Sequence, residues 1–234
     1  MEITRGPQSA LYGSNAVTGV INIISHRGEG APSFTALAEG GSNYTRRFAT
    51  GGSGLARGLS WSYNLSRLDS DGVVENDRYR NQSAFLNLGY DQAHRQFSFR
   101  FFGNANDTGA PGAYGSDPAG TSTDTYIDTV SRGKQNLFGY QLGYVEQISS
   151  RVRQVTTASL ATNDIFYHLN LWGDYRSSNL RGILNTRSEI ILSPKNTLAA
   201  GFEFNREQTK HDYITDSQFS PFLLPRTSLE EKWG

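Results

Sequence analysis

The sequence predicts an all-β, antiparallel sheet of the transmembrane-barrel type, and two observations predict it. Apolar residues recur at every second position through most of the chain, as a strand with one apolar face requires. The connections between those strands alternate between short and long, as they do when strands run up and down a barrel with tight turns on one rim and loops on the other. A soluble β-sandwich can show similar alternation but has no reason for such parity of loop length.

Residues 1–30 read differently from the rest. Glu2-Ile3-Thr4 is a short extended piece that Gly6-Pro7 interrupts. Gln8 to Tyr12 can form one helical turn, stopped by Gly13. Val20-Ile21-Asn22-Ile23-Ile24 is a β-branched run suited to a buried strand. His26-Arg27-Gly28-Glu29-Gly30 reads as a polar linker.

From Ser33 the period is two. Leu59, Trp61, Tyr63 and Leu65 alternate with serines and Asn64. Ala84, Leu86, Leu88 and Tyr90 continue the pattern, then Phe97, Phe99 and Phe101, then Phe138, Tyr140, Leu142 and Tyr144, then Leu198, Ala200, Phe202 and Phe204. Weaker strands fit at 33–42, 45–53, 152–167 and 180–192, and a last one begins at Leu229. Short connections fall near 54–58, 92–95, 149–151 and 193–196; long ones near 70–80, 108–133, 168–179 and 212–227, with a tight exception at Gly41–Tyr44. Strands of about 9–15 residues exceed the usual soluble mode and suit tilted passage through a bilayer. In that arrangement the Phe/Tyr/Leu face meets lipid, and the Ser/Asn/Arg/Glu face lines a wet interior.

Composition narrows the function. The 234 residues hold 22 basic and 22 acidic side chains, so the net charge is zero and the basic excess of a nucleic-acid binder is absent. There is no Cys, hence no disulfide, thiolate metal site or cysteine nucleophile. No apolar run approaches a membrane helix, and the mean hydropathy is −0.52. That does not exclude a barrel, whose strands never need such a run. No enzyme site is visible. The histidines (His26, His94, His168, His211) have no ligand spacing, Ser9 is not in a nucleophile elbow, and Gly51-Gly52-Ser53-Gly54 lacks the Lys-Ser/Thr of a phosphate loop.

Arg5-Gly6-Pro7, then Leu11-Tyr12-Gly13, then Gly19-Val20-Ile21-Asn22-Ile23-Ile24 resembles the end of the plug domain of TonB-dependent outer-membrane receptors. Arg5, Gly6, Pro7, Tyr12, Gly13, Gly19 and Asn22 carry the likeness; Thr18 departs from it where many members have Gly. Gly40–Tyr44 and Leu68–Gly72 look like the first barrel hairpins of the cobalamin- and siderophore-receptor branches. The resemblance implies a barrel of about 22 strands filled by a plug. On that frame, residues 1–30 are the plug's C-terminal segment and 31–234 the first nine or ten barrel strands, a fragment with two open edges that lipid does not tolerate. The implied function is energy-coupled import of a scarce ligand, a metal chelate or cobalamin, across the bacterial outer membrane. The implied partners are outer-membrane lipid and, in the complete protein, the TonB complex. Rivals are an outer-membrane receptor that binds or signals without transport, a soluble β-sandwich binding module, and a barrel enzyme.

Three groups of side chains follow as candidates. By resemblance Arg5 sits between plug and wall and pairs with interior carboxylates, for which inward parity offers Glu39, Glu189 and Glu203. Glu146 has the parity of the outward tyrosines and so belongs at the membrane boundary or beyond a bulge. Tyr114 and Tyr126 in loop 108–133, and Tyr175 and Arg176 in loop 168–179, suit capture of a siderophore or corrin. They equally suit an aromatic girdle, the reading favoured for Trp172. Asp69, Asp71, Glu75 and Asp77 bring the carboxylates that Ca²⁺ wants, though Arg80 stands where an EF-hand has Glu and a solvated acidic loop explains them as well. No other cofactor is expected.

Overall fold

In a computed structural model of the chain, residues 2–6, 18–22, 27–112, 127–170, 173–214 and 226–233 are described. β1 (Glu2–Arg5) and β2 (Gly19–Asn22) form an antiparallel hairpin with Arg5 opposite Gly19. The helical turn expected at 8–12 lies outside the described residues.

Ten further strands follow as one meander: β3 (Ser33–Gly40), β4 (Arg46–Ala56), β5 (Leu59–Ser70), β6 (Tyr79–Gln92), β7 (Arg95–Gly109), β8 (Arg132–Ser149), β9 (Val152–Leu169), β10 (Gly173–Ser193), β11 (Asn196–Ile214) and β12 (Arg226–Trp233). Each pairs antiparallel with its sequence neighbours. The sheet is open: β3 and β12 are its two edges.

Loop parity is as the sequence predicts, and tighter. At one rim the strands are joined by two-residue turns, 57–58, 93–94, 150–151 and 194–195. In the first, Arg57 and Gly58 both have positive φ, 52° and 81°, the geometry whose twist matches a hairpin. The other rim carries 41–45, 71–78, 110–131, 170–172 and 215–225. One expectation is corrected. The connection placed at 168–179 is only three residues, because β9 and β10 keep pairing up to Leu169↔Gly173. Tyr175 and Arg176 are therefore strand residues. Asp174, Arg176 and Ser178 face one way and Ser177 and Asn179 the other, so this stretch is polar on both faces and carries no period-two hydrophobic signal. At about 3.4 Å per residue, the 21 residues of β10 run roughly 70 Å, well past any apolar band.

Register fixes two faces. The apolar one joins Phe34, Trp61, Leu88, Phe99, Leu142, Leu160, Leu184 and Phe202 across neighbouring strands. It is laced by ring contacts, Phe34–Trp61 at 5.7 Å, Phe97–Tyr144 at 5.1 Å and Phe101–Tyr140 at 5.2 Å. Yet it is open: Phe34 is 66% exposed, Phe202 62% and Leu142 59%. Among the described residues no large side chain is fully buried. The covered side chains lie on the other face, with Ser60, Ser62 and Asn87 all buried. A water-soluble β-sandwich would show the reverse, with its aromatic face closed against a second layer.

Candidate functional site

The polar face is covered where the N-terminal segment crosses it. Arg27 donates from Nε to Ser60 Oγ at 3.0 Å and pairs through Nη2 with the Asp91 carboxylate. Ser60 passes its own proton to the Gly89 carbonyl at 3.1 Å. Gly28 is buried against backbone: a Cβ there would fall on the Trp61 carbonyl oxygen and the Gly54 backbone. Leu55 N–H donates to the Gly30 carbonyl at 2.9 Å. The stretch read from sequence as a linker is thus the segment's anchor on β4–β6, and the polar face it covers is called the interior face below.

At the long-loop rim, the interior face holds an aromatic cluster. Tyr167, Tyr175 and Tyr213 are rung partners on β9, β10 and β11. Tyr175 stacks on Tyr167 at 6.2 Å and tilts against Tyr213 at 4.8 Å. Its hydroxyl lies 3.0 Å from His211 Nδ1, whose ring also stacks on it at 6.1 Å. From this cluster a polar track runs toward the other rim. Asn179 donates to Thr209 at 2.7 Å and Glu207 at 3.0 Å, Arg100 to Gln141 at 2.7 Å, and Asn185 to Glu203 at 3.0 Å. The track ends at Glu189 between Arg153 and Arg187, each 3.0 Å away.

The loop bases above the cluster are tied together. Asn76, at φ 63°, donates from Nδ2 to the carbonyls of Asp128 at 2.8 Å and Ser131 at 2.7 Å. Asp128 accepts the N–H groups of Val130 and Ser131, both at 2.8 Å, and the Ser131 hydroxyl at 2.5 Å. The Ser131 proton goes to a carboxylate, not an imidazole, so this group caps a loop and does not activate a nucleophile. Burial opposes the charged form of Asp128, but the hydroxyl and the two N–H donors outweigh it and hold the carboxyl below its ordinary value. A lowered folded value stabilises the cap above the usual aspartate range near pH 4, and that hold is lost as pH falls through the lowered value. In the wild type, pepsin cleavage between residues 110 and 131 is expected to rise several-fold in a step below pH 4. Asp128→Asn should abolish the step, and an unchanged step in that variant would contradict the assignment.

The sequence-derived candidates divide. Arg5 makes none of the ion pairs found among the described residues, and its expected carboxylates lie on separate strands with partners of their own. Glu39 faces Arg47 at 3.3 Å, Glu189 sits between two arginines, and Glu203 takes the Asn185 amide. Cross-strand neighbours thus meet these acids. Arg27, by contrast, reaches Asp91 and Ser60 on the polar face of the sheet. Tyr175 faces the interior, whereas Arg176 lies on the opposite face, 5.1 Å above the Phe166 ring. Pro7, Tyr12, Gly13, Tyr114, Tyr126 and Trp172 lie outside the described residues, and Gly6, Gly19 and Asn22 sit at the β1–β2 hairpin. Glu146 is in register with Arg95 at the short-turn rim, accepting from Arg95 at 2.9 Å and from the Tyr144 hydroxyl at 2.8 Å.

The acids of the second loop take different partners. Asp69 is held by Arg67 at 2.6 Å and approached by Arg80 at 3.9 Å, while Asp77 turns back to accept the Val73 N–H at 2.9 Å. Among the described residues no three acidic or histidine side chains form a metal-holding group. The acids adjacent in sequence are divided between a strand rung and a loop cap.

Solved structures decide the fold. The chain superposes on the siderophore receptor PiuA from Acinetobacter baumannii with a TM-score of 0.69 at 10% identity, covering 98% of this chain and 42% of that one. The fold is that of part of a siderophore-receptor barrel. The open form of the ferric-catecholate import receptor Fiu from E. coli K12 agrees, with a TM-score of 0.69 at 14% identity over 92% of this chain and 42% of that one. So does the ferric citrate transporter FecA, unliganded, at 0.54 and 16% over 86% and 32%. This chain therefore spans less than half the length of the receptors it matches. At the level of sequence, no family model and no curated protein matches.

Proposed function

We propose that the chain is the N-terminal part of the barrel wall of a TonB-dependent outer-membrane receptor that imports a ferric chelate, with residues 1–30 as the end of its plug. The observation that carries this reading is the inverted sheet: an aromatic face open to the surroundings and a polar face on which the N-terminal segment is pinned. Its superposition on receptors named for siderophores and ferric citrate favours an iron chelate over cobalamin. The neighbours are transport receptors, in keeping with binding and passage without covalent chemistry. The Tyr167–Tyr175–Tyr213 cluster at the interior mouth offers flat apolar area with polar tips, suited to a chelate whose organic shell shields a charged metal.

Uptake of radiolabelled iron chelate by cells carrying the complete receptor tests the reading. Uptake is expected to stop when the proton-motive force is collapsed. It should fall about three- to tenfold in Tyr175→Ala, the range of an aromatic contact. Arg176→Gln, on the outer face, should leave it unchanged. Chelate binding without energy-dependent uptake would favour a receptor that only senses its ligand.

A further inference from the structure

We infer that the outer face of β3–β8 carries a binding site for a membrane lipid whose headgroup bears a phosphate monoester. The inference rests on the membrane reading above but concerns the side of the wall away from the ligand.

Three arginines, Arg46, Arg67 and Arg80, meet on adjacent strands at the long-loop rim, all on the apolar side of the sheet. Asp69 is the carboxylate all three approach; Asp107, the other rung partner of Arg80, is engaged by Arg78 at 3.2 Å and Lys134 at 3.4 Å. Asp69 is the rung partner of both Arg46 and Arg80, and it holds Arg67 by two hydrogen bonds of 2.6 and 3.0 Å. Arg80 stands 3.9 Å from it. Asp69 thus orients the arginines and leaves a local excess of about two positive charges. Arg67 and Arg80 remain more than half exposed, at 55% and 54%. At the short-turn rim the outward Arg95 is matched one to one by Glu146.

Directly below the arginines the same face is hollowed. An open depression of about 840 Å³ runs from Arg67 between Phe48 and Leu65 on one side and Phe101 and Phe138 on the other, over Ala84 and Gly103. Gly103 keeps it open, since a Cβ there would meet both phenylalanine rings at 3.0 Å. An apolar trough ending under a cluster of guanidinium groups matches an acyl chain ending in a phosphate. A phosphate monoester carries about −1.5 to −2 at neutral pH and accepts paired hydrogen bonds from guanidinium, so it answers the excess fully; a diester, at about −1, answers half of it.

The test is native mass spectrometry of the complete detergent-solubilised barrel, titrated with phosphatidic acid or with phosphatidylglycerol of the same acyl chains. One phosphatidic acid is expected to be retained per barrel, at least about tenfold more tightly than phosphatidylglycerol. R67Q/R80Q should lower that retention by about tenfold or more, as expected for losing charge-assisted hydrogen bonds to a phosphate. Gly103→Leu, which fills the trough and leaves the arginines, should weaken both lipids alike. Heat-modifiable migration of each variant on gels shows that the barrel has formed. Equal retention of the two lipids, or retention untouched by R67Q/R80Q in a folded barrel, would overturn the site. A protein that stays in solution without detergent would instead overturn the membrane reading on which the site rests.

Discussion

Gly28→Val is expected to release the N-terminal segment from the wall. Gly28 lies so close to the backbone of β4 and β5 that any Cβ falls on the Trp61 carbonyl and the Gly54 peptide. Backbone cannot swing aside as the end of a long side chain can, so the clash moves the whole crossing. Overpacking of this kind costs about 1–3 kcal/mol, sometimes more. Once the crossing lifts, the Arg27–Asp91 pair and the Leu55–Gly30 hydrogen bond go with it. Arg27→Ala alone should do less. Its ion pair is more than 40% exposed on both sides, where such pairs are worth about 1 kcal/mol or less, and Ser60 keeps its bond to Gly89. The measurement is urea-induced exposure of residues 27–32 to protease in the complete barrel. The midpoint should fall clearly in Gly28→Val and slightly in Arg27→Ala. Equal small effects would mean that the segment is held elsewhere.

The strands that could be read from sequence are those whose two faces differ. Phe97-Ser98-Phe99-Arg100-Phe101 and Phe138-Gly139-Tyr140-Gln141-Leu142 announce both a strand and its orientation, and β7 and β8 pair with those residues in register. Where a strand leaves the apolar band the signal stops but the ladder does not. Asp174 to Asn179 looks like loop because nothing apolar alternates there, yet it continues β10. That is why Tyr175 was expected on a loop and is found stacked inside the sheet.

The site was less legible because it is made across strands. Tyr167, Tyr175 and Tyr213 are spread along the chain and become neighbours only through the β9–β10–β11 register. The acids Asp69 to Asp77 are close in sequence and divided in space. Arg27 hides in a run of Gly and charge; the two glycines beside it were the available sign that backbone approaches backbone there.

The central claim is that the aromatic face is the outside of the wall and the polar face the inside. It is tested most directly by single cysteines at Tyr140, Gln141 and Leu142, in a stretch of chain that holds no cysteine of its own. With the complete barrel in outer-membrane vesicles, each site is challenged with a membrane-permeant apolar thiol reagent and with a charged, water-soluble one. The account predicts that positions 140 and 142 react with the apolar reagent alone, while position 141 reacts with the charged reagent through the wet interior. Protection of 140 and 142 from both reagents, as beneath a second layer of a soluble sandwich, would contradict it.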